Sequence, residues 1–294
     1  MPWQFAVLFR ALIAYGIQPV FMKKAADLPS PTRRLAWMFG WAFVFAVVGM
    51  LVMRETPHLA NAWIASLGVL NSIALYCYWK AMKISLSKSA IFAQADDIVA
   101  IGCGMLFLGE TRFITLQVGV GTLLCLAAVW FFAVRNDRKG LEGEKLDRSN
   151  LRMIGWIFAY SVLWGLDIFV SRIAGIEGVS LPEYTFWRYG SSLIGAVLIL
   201  LLRGKEEAGG ALTGKGVLGT AGLALLAWSS ILFEYYVLCR APIAVAQPIF
   251  QVSELLFPPL AGWILFKERK TFRFSEWVGF GLGLVGSVII ALSY

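Results

Sequence analysis

The sequence predicts an all-α membrane protein of ten transmembrane helices built as two inverted five-helix repeats, on three observations. The 294 residues are 59% hydrophobic, with a mean hydropathy of +0.72, far more apolar than a soluble domain of ordinary composition. Apolar runs long enough to cross about 30 Å of hydrocarbon as helices recur along the whole chain. One of these runs occurs twice: at an offset of 158, Ile249, Phe250, Gly262 and Glu268 meet Ile91, Phe92, Gly104 and Glu110, and Glu254 meets Asp96.

The runs fall at 3–22, 35–53, 60–79, 89–108 and 114–134, then at 153–174, 184–202, 216–238, 243–266 and 277–292. The first carries Arg10 and lacks a basic lead or a small-residue cleavage site, so it is expected to be a span and not a signal peptide. The stretch 135–152, RNDRKGLEGEKLDRSNLR, is the most charged in the chain and reads as an exposed linker between a repeat at 1–134 and a repeat at 153–294. The duplication extends further, since Tyr15-Gly16-Ile17-Gln18 meets Trp164-Gly165-Leu166-Asp167 at an offset of 149. An odd number of spans per repeat puts the two copies in opposite orientations, an arrangement that holds its substrate at the repeat interface near the midplane. The loops after spans 1, 3, 5, 7 and 9 hold 20 of the 26 Lys and Arg residues, all but Arg10, Arg54, Arg112, Arg172, Arg188 and Arg240. The positive-inside rule then sets both termini outside the cytoplasm.

Several function classes are excluded. The net charge of +8 sits in short loops and not along a stripe, so nucleic acid is not an expected partner. Cys77, Cys103, Cys125 and Cys239 lie in apolar runs without paired spacing, so neither disulfides nor a metal site is expected. The GxGxxG at 281–286 lies inside a span with no preceding strand, and is read as small residues for close helix packing at Gly279, Gly283 and Gly286. GGALTGKG at 209–216 has Gly216 where a P-loop needs Ser or Thr. The only histidine is His58 and no catalytic set appears, so neither an enzyme nor a cofactor is expected.

Ionisable groups at bilayer depth cost at least a few kcal/mol and mark pathways or sites. Gln247, Gln251 and Glu254 fall at i, i+4 and i+7, one polar face of the ninth span. The fourth span offers Ser89 and Asp96 on the matching face, with Gln94 and Asp97 beside it. Adjacent Asp96 and Asp97 point in different directions, so Asp96 is expected to face the cavity with its mate Glu254, and Asp97 to pair with a Lys or Arg. Glu234 on the eighth span has Tyr235 and Tyr236 beside it, with Tyr76 as its counterpart and Tyr78 nearby. Asp167 on the sixth span stands opposite Gln18, and either lines the cavity or meets Arg188 or Arg172. Trp164 and Phe250 neighbour polar positions, which makes them candidate cavity walls. Arg10 and Arg54 are expected to snorkel to the interface, while Pro248 and Pro258-Pro259 are expected to interrupt the ninth span.

The Trp164-Gly165 pair with its copy Tyr15-Gly16, Arg188 early in the next span, Leu108-Gly109-Glu110 with Lys267-Glu268, and the paired prolines together resemble the EamA-type families of the drug/metabolite transporter superfamily. The resemblance covers nearly the whole chain. Met38 and Ala100-Ile101 stand where the second half has Arg188 and Pro258-Pro259. It implies a ten-helix basket in a bacterial inner membrane, with a cavity lined by the first, third and fourth helices of each half, moving a small-molecule substrate by alternating access. Two mechanisms stay open: Asp96, Glu254 and Glu234 bind a cationic or amine-bearing solute or a proton exchanged for it, or the protein is an uncoupled facilitator for a neutral or zwitterionic metabolite such as an amino acid, with Arg188 free for a carboxylate. A lipid or polyprenyl-phosphate carrier is the alternative from another class. Expected partners are the solute, the lipid bilayer and protons. Oligomeric state is unknown from sequence.

Overall fold

A computed structural model describes residues 2–18, 21, 30–82, 95–133, 148–203, 213–266 and 274–294. Helix α1 (Trp3–Ala11) runs on as a π-helical segment, Leu12–Ile17. There follow α2 (Pro31–Met53), a 3-10 turn (Leu59–Ile64) leading into α3 (Ala65–Met82), α4 (Ala95–Phe107), a second 3-10 turn (Glu110–Phe113) and α5 (Leu116–Ala133). The second half holds α6 (Arg148–Ile176), α7 (Leu181–Arg203), α8 (Gly214–Leu238), α9 (Ile243–Phe266) and α10 (Phe274–Ser293). No strand occurs among the described residues.

Local chemistry sets several of these ends. Proline stands at the first helical position of α2, where its missing N–H costs nothing. Arg54 closes that helix in the left-handed region at φ 56°, its N–H donating to the Leu51 carbonyl and the Glu55 N–H to the Met50 carbonyl, which satisfies groups that a helix end leaves open. Thr213 caps α8, its hydroxyl accepting from the Gly216 N–H at 3.2 Å.

Among the described residues five helices are long and apolar enough to cross a membrane: Pro31–Met53, Leu59–Ala81, Arg152–Ile176, Leu181–Arg203 and Gly214–Leu238. Shorter apolar helices lie at Trp3–Ile17, Leu116–Ala128 and Trp277–Ser293. Large apolar side chains such as Leu51, Leu106 and Leu202 are mostly exposed on the outer surface, as expected where the solvent is lipid. The four cysteines are free thiols.

Packing pairs helices of one half with helices of the other. Helix α3 packs on α6 and α7, and α8 packs on α1 and α2. Helix α4 packs on α6, and α9 on α1 and its π-helical continuation, while α2 meets α7, α4 meets α9 and α5 meets α10. Renumbering each helix i as i+5 returns these pairings, while α9 also packs on α5 and α10, and α8 on α6, without a described counterpart. Glycine permits the closest of them. A Cβ on Gly121 would stand 2.8 Å from the Gly286 carbonyl, and one on Gly286 2.7 Å from the Gly121 carbonyl, so α5 and α10 touch backbone to backbone. Gly283 faces Val252 and Ala128 in the same seam.

Two sequence expectations about the helices change, and one lies outside the described residues. Helix α6 starts at Arg148, inside the stretch read as linker; 135–147 lie outside the described residues. Helix α9 continues through Pro248 and Pro258-Pro259 without interruption. A proline forfeits one backbone bond, but in lipid every other backbone group still requires an internal partner, which favours keeping the helix. Helix α4 is described only from Ala95, so Ser89 and Gln94 lie outside the described residues, as does Lys267-Glu268.

Candidate functional site

The polar face of α9 packs against α1 with its π-helical continuation, α4 and α8, and with Tyr78 of α3 and Tyr160 of α6 within electrostatic reach these side chains form a buried polar cluster, the chamber. Arg10 of α1 is its cation. Contrary to the snorkelling expected of it, Arg10 is 5% exposed: its Nε and Nη2 donate to Glu234 Oε2 at 3.2 and 2.9 Å, and its guanidinium lies 4.0 Å from the Phe250 ring centroid. The reason is packing, because α1 lies against α8 and α9 and the residue has no water to reach. Its Nη1 donates to the Tyr15 hydroxyl at 3.0 Å, and Tyr15 is hydrogen-bonded in turn to Glu254. Glu234, Arg10, Tyr15 and Glu254 thus form one chain across α8, α1 and α9. Tyr15 sits in the π-helical segment, a local widening of the kind often found at functional positions.

Facing this chain, α4 presents Asp96 and Asp97, both buried. Gly165 of the Trp-Gly pair brings them in, since a Cβ there would lie 2.6 Å from the Asp96 carbonyl and from Val99 Cβ. Asp96 Oδ1 accepts from the Asp97 N–H at 2.8 Å. Asp97, expected to seek a Lys or Arg, instead accepts from Gln247 Nε2 at 2.5 Å, the first residue of the polar stripe on α9. Asp96, Asp97 and Glu254 lie within electrostatic reach of one another and of Arg10. Tyr78 of α3 and Tyr160 of α6 also sense Asp96 and Glu254. Their rings are 4.8 Å apart, and Tyr160 stacks on Trp164 at 5.9 Å, an aromatic wall beside the acids.

The remaining candidates lie as follows. Gln251 is buried on the α9 face. Gln18 is half-buried at the end of the π-helical segment. Asp167 meets Arg188, not Arg172, at 2.7 Å, with both side chains fully enclosed. Arg188 also donates to the Tyr184 hydroxyl at 2.6 Å and stands over Trp164, while its buried Nε has no hydrogen-bond partner among the described residues. Tyr76 packs edge-on against Trp156 with Lys80 above it. Tyr236 lies under Arg240, 3.6 Å from its guanidinium carbon. Arg10, Tyr160 and the direction of Asp97 escaped the sequence reading. An Arg inside a twenty-residue apolar run was the available signal.

A second polar region clasps the halves together at the end of the bundle where α2, α4, α6 and α8 finish. Arg172 Nε donates to Glu110 Oε1 at 3.1 Å, and the Ala244 N–H to Glu110 Oε2 at 3.3 Å. Arg172 Nη1 also donates to the Leu238 carbonyl. The Ser180 hydroxyl donates to Glu55, and the His58 N–H to Glu183 Oε1 at 2.6 Å. Gly104 leaves room for the carboxylate, since a Cβ there would lie 2.9 Å from Glu110 Oε2. Gln247 is one turn along α9 from Ala244, so the clasp lies directly over the chamber. An apolar groove of about 530 Å³, lined by Ile101, Met105, Val118 and neighbours, opens between α4 and α5 and is separate from it. Among the described residues no group of acids, Cys and His is arranged to hold a metal ion.

Comparison with known proteins agrees with this architecture. No curated protein matches the sequence. A solved structure, described only as a crystal structure of a protein, superposes with a TM-score of 0.76 over 99% of this chain and 95% of its own, at 15% identity, a likeness of fold. Residues 151–292, the second half, match the EamA-like transporter family. That half is similar to the EamA-like transporter family, which together with the apolar helices points to a multi-pass membrane transporter of small solutes.

Proposed function

We propose that this protein is a secondary transporter of a bacterial inner membrane that moves a small organic metabolite by alternating access between two inverted five-helix halves, 1–134 and 153–294. The chamber is the binding site and the clasp is its gate on one side. The carrying observation is the chamber itself, in which α1, α3 and α4 of one half and α6, α8 and α9 of the other surround Asp96, Asp97, Glu234, Gln247, Gln251 and Glu254. The repeated contact pattern supports two related halves, and such halves rock about a site at their interface. The basic loops 1–2, 3–4, 5–6, 7–8 and 9–10 set the clasp, at the opposite loops, on the extracytoplasmic side. Glu254, joined through Tyr15 to Arg10 and Glu234, is the group that takes up a proton during the cycle, so export of the solute is driven by the proton gradient.

Three acids and a carboxylate-bound arginine make a poor seat for an anionic head group, which disfavours a lipid or polyprenyl-phosphate carrier. The test is a lock on the clasp. In Glu55→Cys/Ser180→Cys protein reconstituted into liposomes, a cleavable cross-linker joining the two thiols should stop solute-driven currents, and cleavage should restore them. Currents that persist at the unlocked rate would refute the gate.

A further inference from the structure

Resting on the reading of the chamber as the transport site, we infer that its substrate is an organic ammonium ion whose N–H groups are held by Asp97 and Gln247. The hydrogen bond between these two residues fixes both side chains across the α4–α9 contact. It leaves Asp97 Oδ2 and Gln247 Oε1 buried, with no hydrogen-bond partner among the described residues. Both are acceptors. An orphaned buried acceptor is destabilising, more so when charged, so the pair is complementary to a guest that brings at least two donors. A primary ammonium does so, whereas a hydroxyl has only one.

Charge points the same way. Arg10 is committed to Glu234 and Tyr15, and Arg188 to Asp167 and Tyr184. A carboxylate or phosphate guest would find Arg10 taken and Arg188 already in an ion pair with Asp167, its Nε alone lacking a partner among the described residues, and would face Asp96, Asp97 and Glu254. A cation meets those three acids with favourable sign. The wall of Tyr78, Tyr160 and Trp164 supplies ring faces that attract an ammonium group and an apolar shelf for its carbon skeleton. A quaternary ammonium carries the charge but no N–H, so it leaves both acceptors unmatched.

The experiment is thermal unfolding of the full-length protein in nanodiscs with ethylamine and phenylethylamine, each compared with its trimethylammonium, alcohol and carboxylate counterparts. At least one primary amine should raise the melting temperature, at concentrations about tenfold or more below its trimethyl form, with no shift from the alcohols or carboxylates. Asp97→Asn and Gln247→Leu should each weaken that amine by about tenfold or more. The wild-type series decides the matter even where a variant fails to fold. No protection by either amine, or alcohols that protect as well as amines, overturns the inference. If other solutes protect and Tyr160→Ala or Glu254→Gln abolishes their effect, the chamber remains the site for another substrate class. If solutes bind and no chamber substitution alters their binding, the reading of the chamber falls as well.

Discussion

The clasp and the chamber are both buried polar regions spanning the two halves, yet their bonding differs. In the clasp, Glu110 divides its two oxygens between Arg172 and the Ala244 N–H, and Arg172 spends a further N–H on the Leu238 carbonyl. In the chamber three carboxylates gather around a single arginine already bound to a fourth, and acceptors on Asp97 and Gln247 have no partner among the described residues. Paired groups hold a conformation, because breaking the pair leaves a buried charge alone. Unpaired ones suit a guest. On the proposed reading the contrast separates what keeps one state of the transporter closed from what the transporter carries.

The sharpest way to break the contrast is to disrupt the chamber's own ion pair. Arg10→Ala removes the partner of Glu234 and the hydrogen bond to Tyr15 in a place without water. It should cost about 3–5 kcal/mol, seen as a large loss of melting temperature and yield. The double variant Arg10→Met/Glu234→Met should recover most of that stability, since an apolar pair of similar volume replaces both charges, but it should not transport. If Arg10→Ala melts like the wild type, Arg10 reaches water after all.

A smaller effect is expected at the clasp. Glu110→Gln leaves Arg172 beside a neutral amide, at a cost of about 2 kcal/mol to the closed form, roughly thirtyfold in its population. Cys239 follows Leu238, and its Sγ is 3.1 Å from where a Gly175 Cβ would stand. With the other three cysteines replaced, its labelling by a hydrophilic maleimide should accelerate about tenfold or more in Glu110→Gln. An unchanged rate would mean that the pair does not hold the clasp shut. Within the chamber, Glu254→Gln retains a hydrogen bond to Tyr15 and so should alter the melting temperature little. It should abolish the dependence of transport on an imposed pH gradient, and retained pH dependence would move the proton site elsewhere.

The two regions were unequally legible in the sequence. The chamber's α9 face followed from Gln247, Gln251 and Glu254 at helical spacing, and its α4 acids from the internal repeat. The partner of Glu234 did not, because Arg10 lies 224 positions away and no periodicity encodes a contact between α1 and α8. Symmetry favoured Asp96 over Asp97, but the reach of Gln247 along α9 turned Asp97 inward, a matter of side-chain length and not of repeat register. Glu110 stood out as part of a motif, whereas its partner Arg172 was legible only as a basic residue remote from the cytoplasmic loops.

The smallest effect tests how far the clasp depends on charge. His58 lies in the turn between α2 and α3, and its ring nitrogen is 3.3 Å from Glu183 Oε2 while the side chain is 71% exposed. An exposed pair of this kind contributes about 0–1 kcal/mol. Its backbone N–H, by contrast, donates to Glu183 Oε1 at 2.6 Å, and Glu183 is buried. His58→Ala keeps that bond and should leave melting temperature and Cys239 labelling almost unchanged. His58→Pro removes the N–H, strips a buried carboxylate of a donor, and should destabilise by about 1–3 kcal/mol, with faster labelling. If alanine proves as damaging as proline, the imidazole itself closes the clasp.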